Sequence, residues 1–185
     1  INKLEKLSSQ SNLSYFSNEK NMGQSYSLRR GIKESKYSDI VSIDGDGQNN
    51  PIDIIKLLNT NHSSENLKLV GGIRQKRKDR YIKIIASKIA NRVRSFILRD
   101  KCPDTGCSLK IFDKEIFLSF PFFSGIHRFL PALYKSFGHK TAFINVDHRI
   151  RKAGKSKYGV FDRLLIGIID IFKVIIIINN IKKND

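Results

Sequence analysis

Asp44 and Asp46 stand one residue apart in the stretch IVSIDGDGQNNPIDIIKLL, residues 40–58. Two carboxylates at that spacing offer hard oxygen ligands to Mg2+ or Mn2+, ions that keep waters and complete their shells with a substrate's phosphates. The flanking pattern says what must hold them. Ile40, Val41 and Ile43 read as a strand, Asp44 to Gln48 as a glycine-containing loop, and Pro51 opens a segment in which Ile54, Ile55 and Leu58 recur at helical spacing. In an open α/β sheet, ligands bind beyond the carboxyl ends of the strands, which is where this loop stands. Two other motifs fail on residues. An EF-hand loop from Asp44 needs Gly at its sixth position and Glu at its twelfth, where Asn49 and Ile55 lie. A dinucleotide fingerprint from Gly45 lacks its third glycine, at Asn50.

Other groups with chemical potential lie further along. In CPDTGCSLKIF, Asp104 and Gly106 fall in a loop before a short strand that carries Lys110. Arg74 opens a basic run with Lys76, Arg77, Lys78 and Arg80, and HRIRKAGKSKYG crowds Arg149, Arg151, Lys152, Lys155 and Lys157 around Gly154 and Gly159. His127 and His148 have no Ser or Cys partner at a spacing that makes a nucleophilic triad, so they read as packed structural histidines.

The elements that position these groups alternate between strand and helix. Leu13 to Phe16 reads as a short strand, 24–35 as a helix carrying Arg29 and Arg30, and Leu67 to Val70 as a strand ending at Gly71-Gly72. A long amphipathic helix follows, with Ile82, Ile85, Ile89, Val93 and Phe96 three and four apart. Ile126, Phe129, Leu130, Leu133 and Phe137 recur at helical spacing, with Pro131 breaking any continuous helix, and Thr141 to Val146 is the next strand. From Val160 the chain is apolar through Val174 to Ile178, but Asp162, Arg163, Asp170 and Lys173 interrupt it. A membrane span needs about 20 apolar residues, so this tail reads as lying on a bilayer or packing on the core.

The sequence has 185 residues, 34 Lys and Arg against 17 Asp and Glu, and a net charge of +17. That length suits one domain with a core, and the charge points to polyanions: phosphorylated substrates, an anionic membrane surface or nucleic acid. Cys102 and Cys107 are too few for a disulfide framework or a four-cysteine zinc site and read as reduced thiols.

The strings NMGQSYSLRRGI, IVSIDGDGQNNP, GGIRQKRKD, DTGCSLKIF, HRFLP and HRIRKAGKSKYG, in that order from about Asn21 to Asp170, resemble the dolichol-phosphate mannosyltransferase-like branch of the family 2 glycosyltransferases. The resemblance implies an α/β fold of the GT-A type, a mixed and mostly parallel sheet flanked by helices. It implies an inverting transfer of a sugar from a nucleotide diphosphate donor to a lipid-linked acceptor, a polyprenyl phosphate or glycolipid. On this reading Asp44 and Asp46 bind Mg2+ or Mn2+, and Gln48 and Arg74 line the donor site. Asp104 is the candidate base, and Arg151, Ser156 and Lys157 hold phosphates from a loop that closes on the donor. The strand with Pro-x-x-Asn-Glu and the strand ending in an Asp-Asp-Gly-Ser-like loop, which open family members, are not among these residues, so an N-terminally incomplete domain lacking its first strands is expected.

The expected organisation is a partial GT-A domain over 1–160 and an apolar tail over 161–185 in contact with the membrane. The expected setting is cytoplasmic, peripheral at the inner face of an anionic membrane. Two readings compete with a transferase: a non-catalytic basic module binding nucleic acid, and an inactive remnant of the fold. No zinc-finger, KH or RNP-like string favours the first.

Overall fold

The computed structural model describes residues 12–64, 66–75, 81–149 and 160–184, and of 81–84, 86, 87, 160–166 and 181–184 the backbone alone. In chain order the elements are α1 (Gln24–Glu34), β1 (Asp39–Ser42), α2 (Asp53–Asn61), β2 (Leu67–Arg74), α3 (Tyr81–Leu98), β3 (Lys110–Asp113), α4 (Lys114–Ser119), a 3-10 turn (Ile126–Arg128), α5 (Leu130–Ser136), β4 (Lys140–Val146) and α6 (Val160–Asn184). The strands form one sheet in the order β1-β3-β2-β4. β3 runs antiparallel to both its neighbours, and β2 runs parallel to β4. Three strands therefore share one direction and only β3 opposes them.

That topology gathers the chemistry at one end. The carboxyl ends of β1, β2 and β4 and the amino end of β3 coincide, since Ser42 and Gly71 both pair with Lys110, and Arg74 pairs with Val146. The loops carrying Asp44 and Asp46, Arg74, Asp104 and the start of HRIRKAGKSKYG all leave the sheet there.

Pleating sends alternate strand residues to opposite faces. Leu69 and Phe112 face one core, built with Ile32, Phe117, Phe120, Leu130, Leu133, Tyr134 and Val174. Val70 and Ile111 face the other, with Leu57, Cys107, Leu109 and Val146. Helix α2 covers the second face, and α1, α4, α5 and α6 cover the first. Both faces are apolar because both are covered.

Several local expectations change. Leu13 to Phe16 forms no strand, and the hydrophobic side chains there stay exposed. β2 does not stop at Gly71 but runs through Gly72 to Arg74. Gly72 is needed for close approach, because a Cβ there would meet Val146 Cγ2 at 2.8 Å and Cys107 Sγ at 2.9 Å. Leu57 rather than Ile55 is the buried anchor of α2, and Ile55 is exposed. Pro131 stands in the first turn of α5, where its missing N–H costs nothing, so the helix starts there instead of bending.

The apolar stripe of α3 faces away from the body. Ile85, Ile89, Val93 and Phe96 are exposed, while Arg94 and Leu98 are buried. Arg94 pairs with the buried Asp100 and donates to Cys102 O at 3.0 Å. α6 is fixed to the body by the buried Val174 and by Asp170, which takes Arg128 at 2.6 Å.

Candidate active site

The Asp44–Asn50 loop is tied down from below. Ser108, just before β3, accepts at Oγ from Asp44 N (3.2 Å) and from Asn49 Nδ2 (2.8 Å), and its carbonyl accepts from Ser42 Oγ (2.7 Å). Asp46 Oδ1 accepts from Gln48 N at 3.1 Å, an Asx turn that sets the direction of its carboxylate. Asp44 Oδ1 accepts from Gln24 Nε2 at 3.2 Å, so the start of α1 also reaches the loop.

Asp104 sits in a different setting. It is buried, and three donors of Arg74 converge on it: the backbone N and Nε on Oδ2 at 3.2 and 2.8 Å, and Nη2 on Oδ1 at 2.8 Å. Gly106 leaves room for this fork, because a Cβ there would stand 2.7 Å from Arg74 Nη2. Beneath both loops lies Lys110, buried, with Nζ donating to Cys107 O. Burial pushes its ammonium below the usual lysine range, against the opposing pull of neighbours that include Asp104 and Asp44.

The basic loop begins against the acidic one. Asn49 and His148 form an antiparallel bridge, Arg149 N donates to Gln48 O at 2.8 Å, and Arg149 Nη2 donates to Asn50 Oδ1 at 2.7 Å. Asp147 N donates to the buried Asp53 Oδ2 at 2.7 Å, anchoring the strand end to α2. Arg151, Ser156 and Lys157 lie outside the described residues, as do Lys76 to Arg80. The structure thus brings together Asp44, Asp46, Gln48, Arg74 and Asp104 of the residues singled out in the sequence.

Ser108, Gln24 and Arg149 lie in strings quoted above, yet the sequence assigned them no role at the site; each is recognised by its partner across the fold. His127 shares a 2.7 Å hydrogen bond with Ser25 Oγ, which also accepts from Gly125 N at 2.8 Å. Burial, with Arg128 and Lys110 adding repulsion, lowers His127 to about 3, so the ring that meets the serine is neutral. Burial likewise pushes Cys102 up to about 11 and raises Cys107, which makes both thiols poor nucleophiles.

The donor set suits a divalent cation. Two carboxylates and the nearby Gln48 amide are hard oxygen donors, each Asp is oriented by a hydrogen bond on one oxygen, and both are partly open to solvent. No group of three or more His, Cys, Asp or Glu suited to a metal occurs among the described residues. Two protein carboxylates with the remaining oxygens from water and phosphate is the arrangement Mg2+ and Mn2+ accept.

No protein-family model matches the chain. The dodecaprenyl-phosphate galacturonate synthase of Rhizobium johnstonii is 34% identical over 145 residues, covering 77% of this chain and 43% of that protein. The undecaprenyl-phosphate 4-deoxy-4-formamido-L-arabinose transferase of Edwardsiella ictaluri is 29% identical over 141 residues, covering 76% of this chain and 43% of its own length. The chain is a homologue of polyprenyl-phosphate sugar transferases. It spans under half the length of these curated relatives. Among solved structures, the glucosyl-3-phosphoglycerate synthase of Mycobacterium tuberculosis, in complex with Mn2+ and UDP-glucose, superposes with a TM-score of 0.60 at 15% identity, over 89% of this chain and 55% of that one. At that identity the likeness speaks for the fold, which is of the GT-A type, as expected for family 2.

Proposed function

We propose that this chain is part of a glycosyltransferase that moves a sugar from a nucleotide diphosphate donor to a polyprenyl phosphate or similar lipid-linked acceptor, with inversion. The observation that carries the reading is the convergence of the Asp44–Asp46 loop, the Arg74–Asp104 pair and the root of the basic loop at one end of the sheet. The named activities of the homologues and the Mn2+ and UDP-glucose held by the Mycobacterium tuberculosis protein support it.

In this reading Asp44 and Asp46, with Gln48 beside them, hold Mg2+ or Mn2+. Such an ion supplies charge neutralisation to the departing diphosphate. Arg151, Ser156 and Lys157 add donors to the same phosphates from the basic loop, whose root at His148 and Arg149 lies against Gln48 and Asn49.

Asp104 is the candidate base wherever the acceptor is a hydroxyl. A phosphate acceptor arrives ionised and attacks without losing a proton. In that case Asp104 serves by aiming Arg74, whose guanidinium is held in one orientation by bonds of 2.8 Å to each oxygen. The single displacement then needs only an ionised oxygen positioned opposite the leaving group. The setting proposed is peripheral, at the inner face of the cytoplasmic membrane, where lipid acceptor and soluble donor meet.

The test is transfer of radiolabelled sugar from a panel of nucleotide diphosphate sugars into a solvent-extractable polyprenyl phosphate product. Product that appears with Mg2+ or Mn2+, disappears with chelator and is absent from Asp44→Asn/Asp46→Asn is the expected result. Transfer that is indifferent to both would overturn the metal assignment.

A further inference from the structure

The strings NMGQSYSLRRGI and HRFLP stand far apart in the chain, yet the fold joins them beside the metal loop. The join is Ser25. It is 3% exposed, its Oγ accepts from Gly125 N at 2.8 Å, and it shares a 2.7 Å hydrogen bond with His127 Nδ1. Both partners belong to the turn around Ile126–Arg128, and that turn is fixed from its other side. Gly125 has φ +106°, a conformation that suits glycine. A Cβ on Gly125 would stand 2.9 Å from Arg128 Nη2, which is itself bonded to Asp170 Oδ2 at 2.6 Å. Asp170 is 1% exposed on α6, so the turn is held between α6 and Ser25.

The residue before Ser25 reaches the metal loop. Gln24, the first residue of α1, donates from Nε2 to Asp44 Oδ1 at 3.2 Å. Gln24 is exposed, and a long exposed side chain loses rotamer freedom to hold one partner, so its hold depends on a backbone already fixed. The usual device for fixing a helix start is missing, because Gly23 at the N-cap has no side chain to offer the first turn. Ser25 ties that turn to the body instead.

We propose that Ser25 is a positioning residue for the metal site: by pinning the first turn of α1 to the Gly125–Arg128 turn, it sets Gln24 on Asp44 Oδ1 and fixes that carboxylate for the ion. Partners that orient a metal ligand from outside its shell typically contribute about 10–100-fold to metal affinity. The inference rests on the reading of Asp44 and Asp46 as the pair that holds the ion. A serine that only filled space beneath α1 would change stability when lost and leave the affinity for the ion where it was.

Mn2+ binding in the presence of UDP, followed by loss of the free-ion electron paramagnetic resonance signal, reads the ion and not turnover. Ser25→Ala and Gln24→Leu should each weaken binding about tenfold, and the double variant should be no weaker than either single one, because both cut the same link. Ser27→Ala is the control: its Oγ donates to Gly23 O at 3.1 Å in the same turn of α1, and its loss should leave the affinity unchanged. If Ser25→Ala does not fold, Ser25→Cys, of similar shape and weaker hydrogen bonding, takes its place with the same expectation. Parental affinity in the Ser25 variant or in Gln24→Leu, losses that multiply in the double variant, or an equal loss in Ser27→Ala would each overturn the proposal. Asp44→Asn/Asp46→Asn separates the two claims. If it abolishes binding while the Ser25 variant and Gln24→Leu keep it, the metal reading stands and the positioning role falls. If Mn2+ binding survives Asp44→Asn/Asp46→Asn, the metal reading fails and the positioning role with it.

Discussion

Two aspartate loops meet at one end of this sheet, and their surroundings are opposite. Asp44 and Asp46 are partly open to solvent, and each accepts a hydrogen bond on one oxygen from an amide nitrogen of glutamine. Asp104 is buried and gripped by three donors of one arginine. The same side chain is thus prepared for two tasks. An open pair with hard oxygens is ready for an ion that brings its own waters and phosphates, whereas a buried carboxylate with a bidentate partner is a fixed charge that holds a guanidinium in place.

The largest effect should come from breaking the buried pair on one side. Arg74→Ala removes the guanidinium that clamps both oxygens of the buried Asp104 carboxylate, and the loss of stability should be about 3–5 kcal/mol by urea unfolding. The paired apolar variant Arg74→Met/Asp104→Leu should recover most of that loss, because it removes the buried carboxylate together with its guanidinium partner. Equal destabilisation in both variants would mean that the pair holds little beyond packing.

A second effect sharpens the contrast through pH. His127 is lowered to about 3 against an ordinary value of about 6.5, so between those values the unfolded chain binds the proton that the folded chain refuses. Its contribution to stability is complete above pH 6.5 and falls as pH drops toward 3, by up to about 1.4 kcal/mol per pH unit. His127→Gln cannot take that proton and should show a flatter decline in unfolding midpoint between pH 7 and pH 4.5. Parallel declines would contradict a buried neutral histidine.

Smaller again is the tie between the loops. Ser108→Ala removes the acceptor of Asp44 N and Asn49 Nδ2 and should cost about 1–2 kcal/mol. Ser108→Thr, which keeps the oxygen, should restore most of it. The smallest change in stability should follow Asp46→Asn, within about 0.5 kcal/mol, since asparagine keeps the Asx turn to Gln48 N and the site is partly exposed.

The sequence made the first loop legible and the second only half so. Asp44-Gly45-Asp46 announces itself because strand, loop and helix are contiguous and the spacing of the carboxylates is local. Asp104 was visible as a loop residue, but its pairing with Arg74, 30 positions away, depends on β2 and β3 lying side by side, which local pattern does not encode. The same limit explains the strands. Leu13 to Phe16 had the composition of a strand and forms none, while Gly71-Gly72 had the composition of a turn and is held extended between β3 and β4. On α3 the periodicity correctly announced a helix with an apolar stripe. It said nothing about which side meets the core, and there Arg94 and Leu98, not Val93 and Phe96, turn inward.

The central claim is that the open loop, not the closed one, is where a divalent ion binds. Mn2+ binding to the chain, followed by loss of the free-ion electron paramagnetic resonance signal, tests it without requiring turnover. The account predicts one bound Mn2+ in the presence of a nucleoside diphosphate, binding weakened at least about tenfold by Asp44→Asn/Asp46→Asn, and binding nearly unchanged in Arg74→Met/Asp104→Leu once that variant is shown to be folded. Binding that survives loss of both open carboxylates, or that vanishes only with the buried pair, would contradict it.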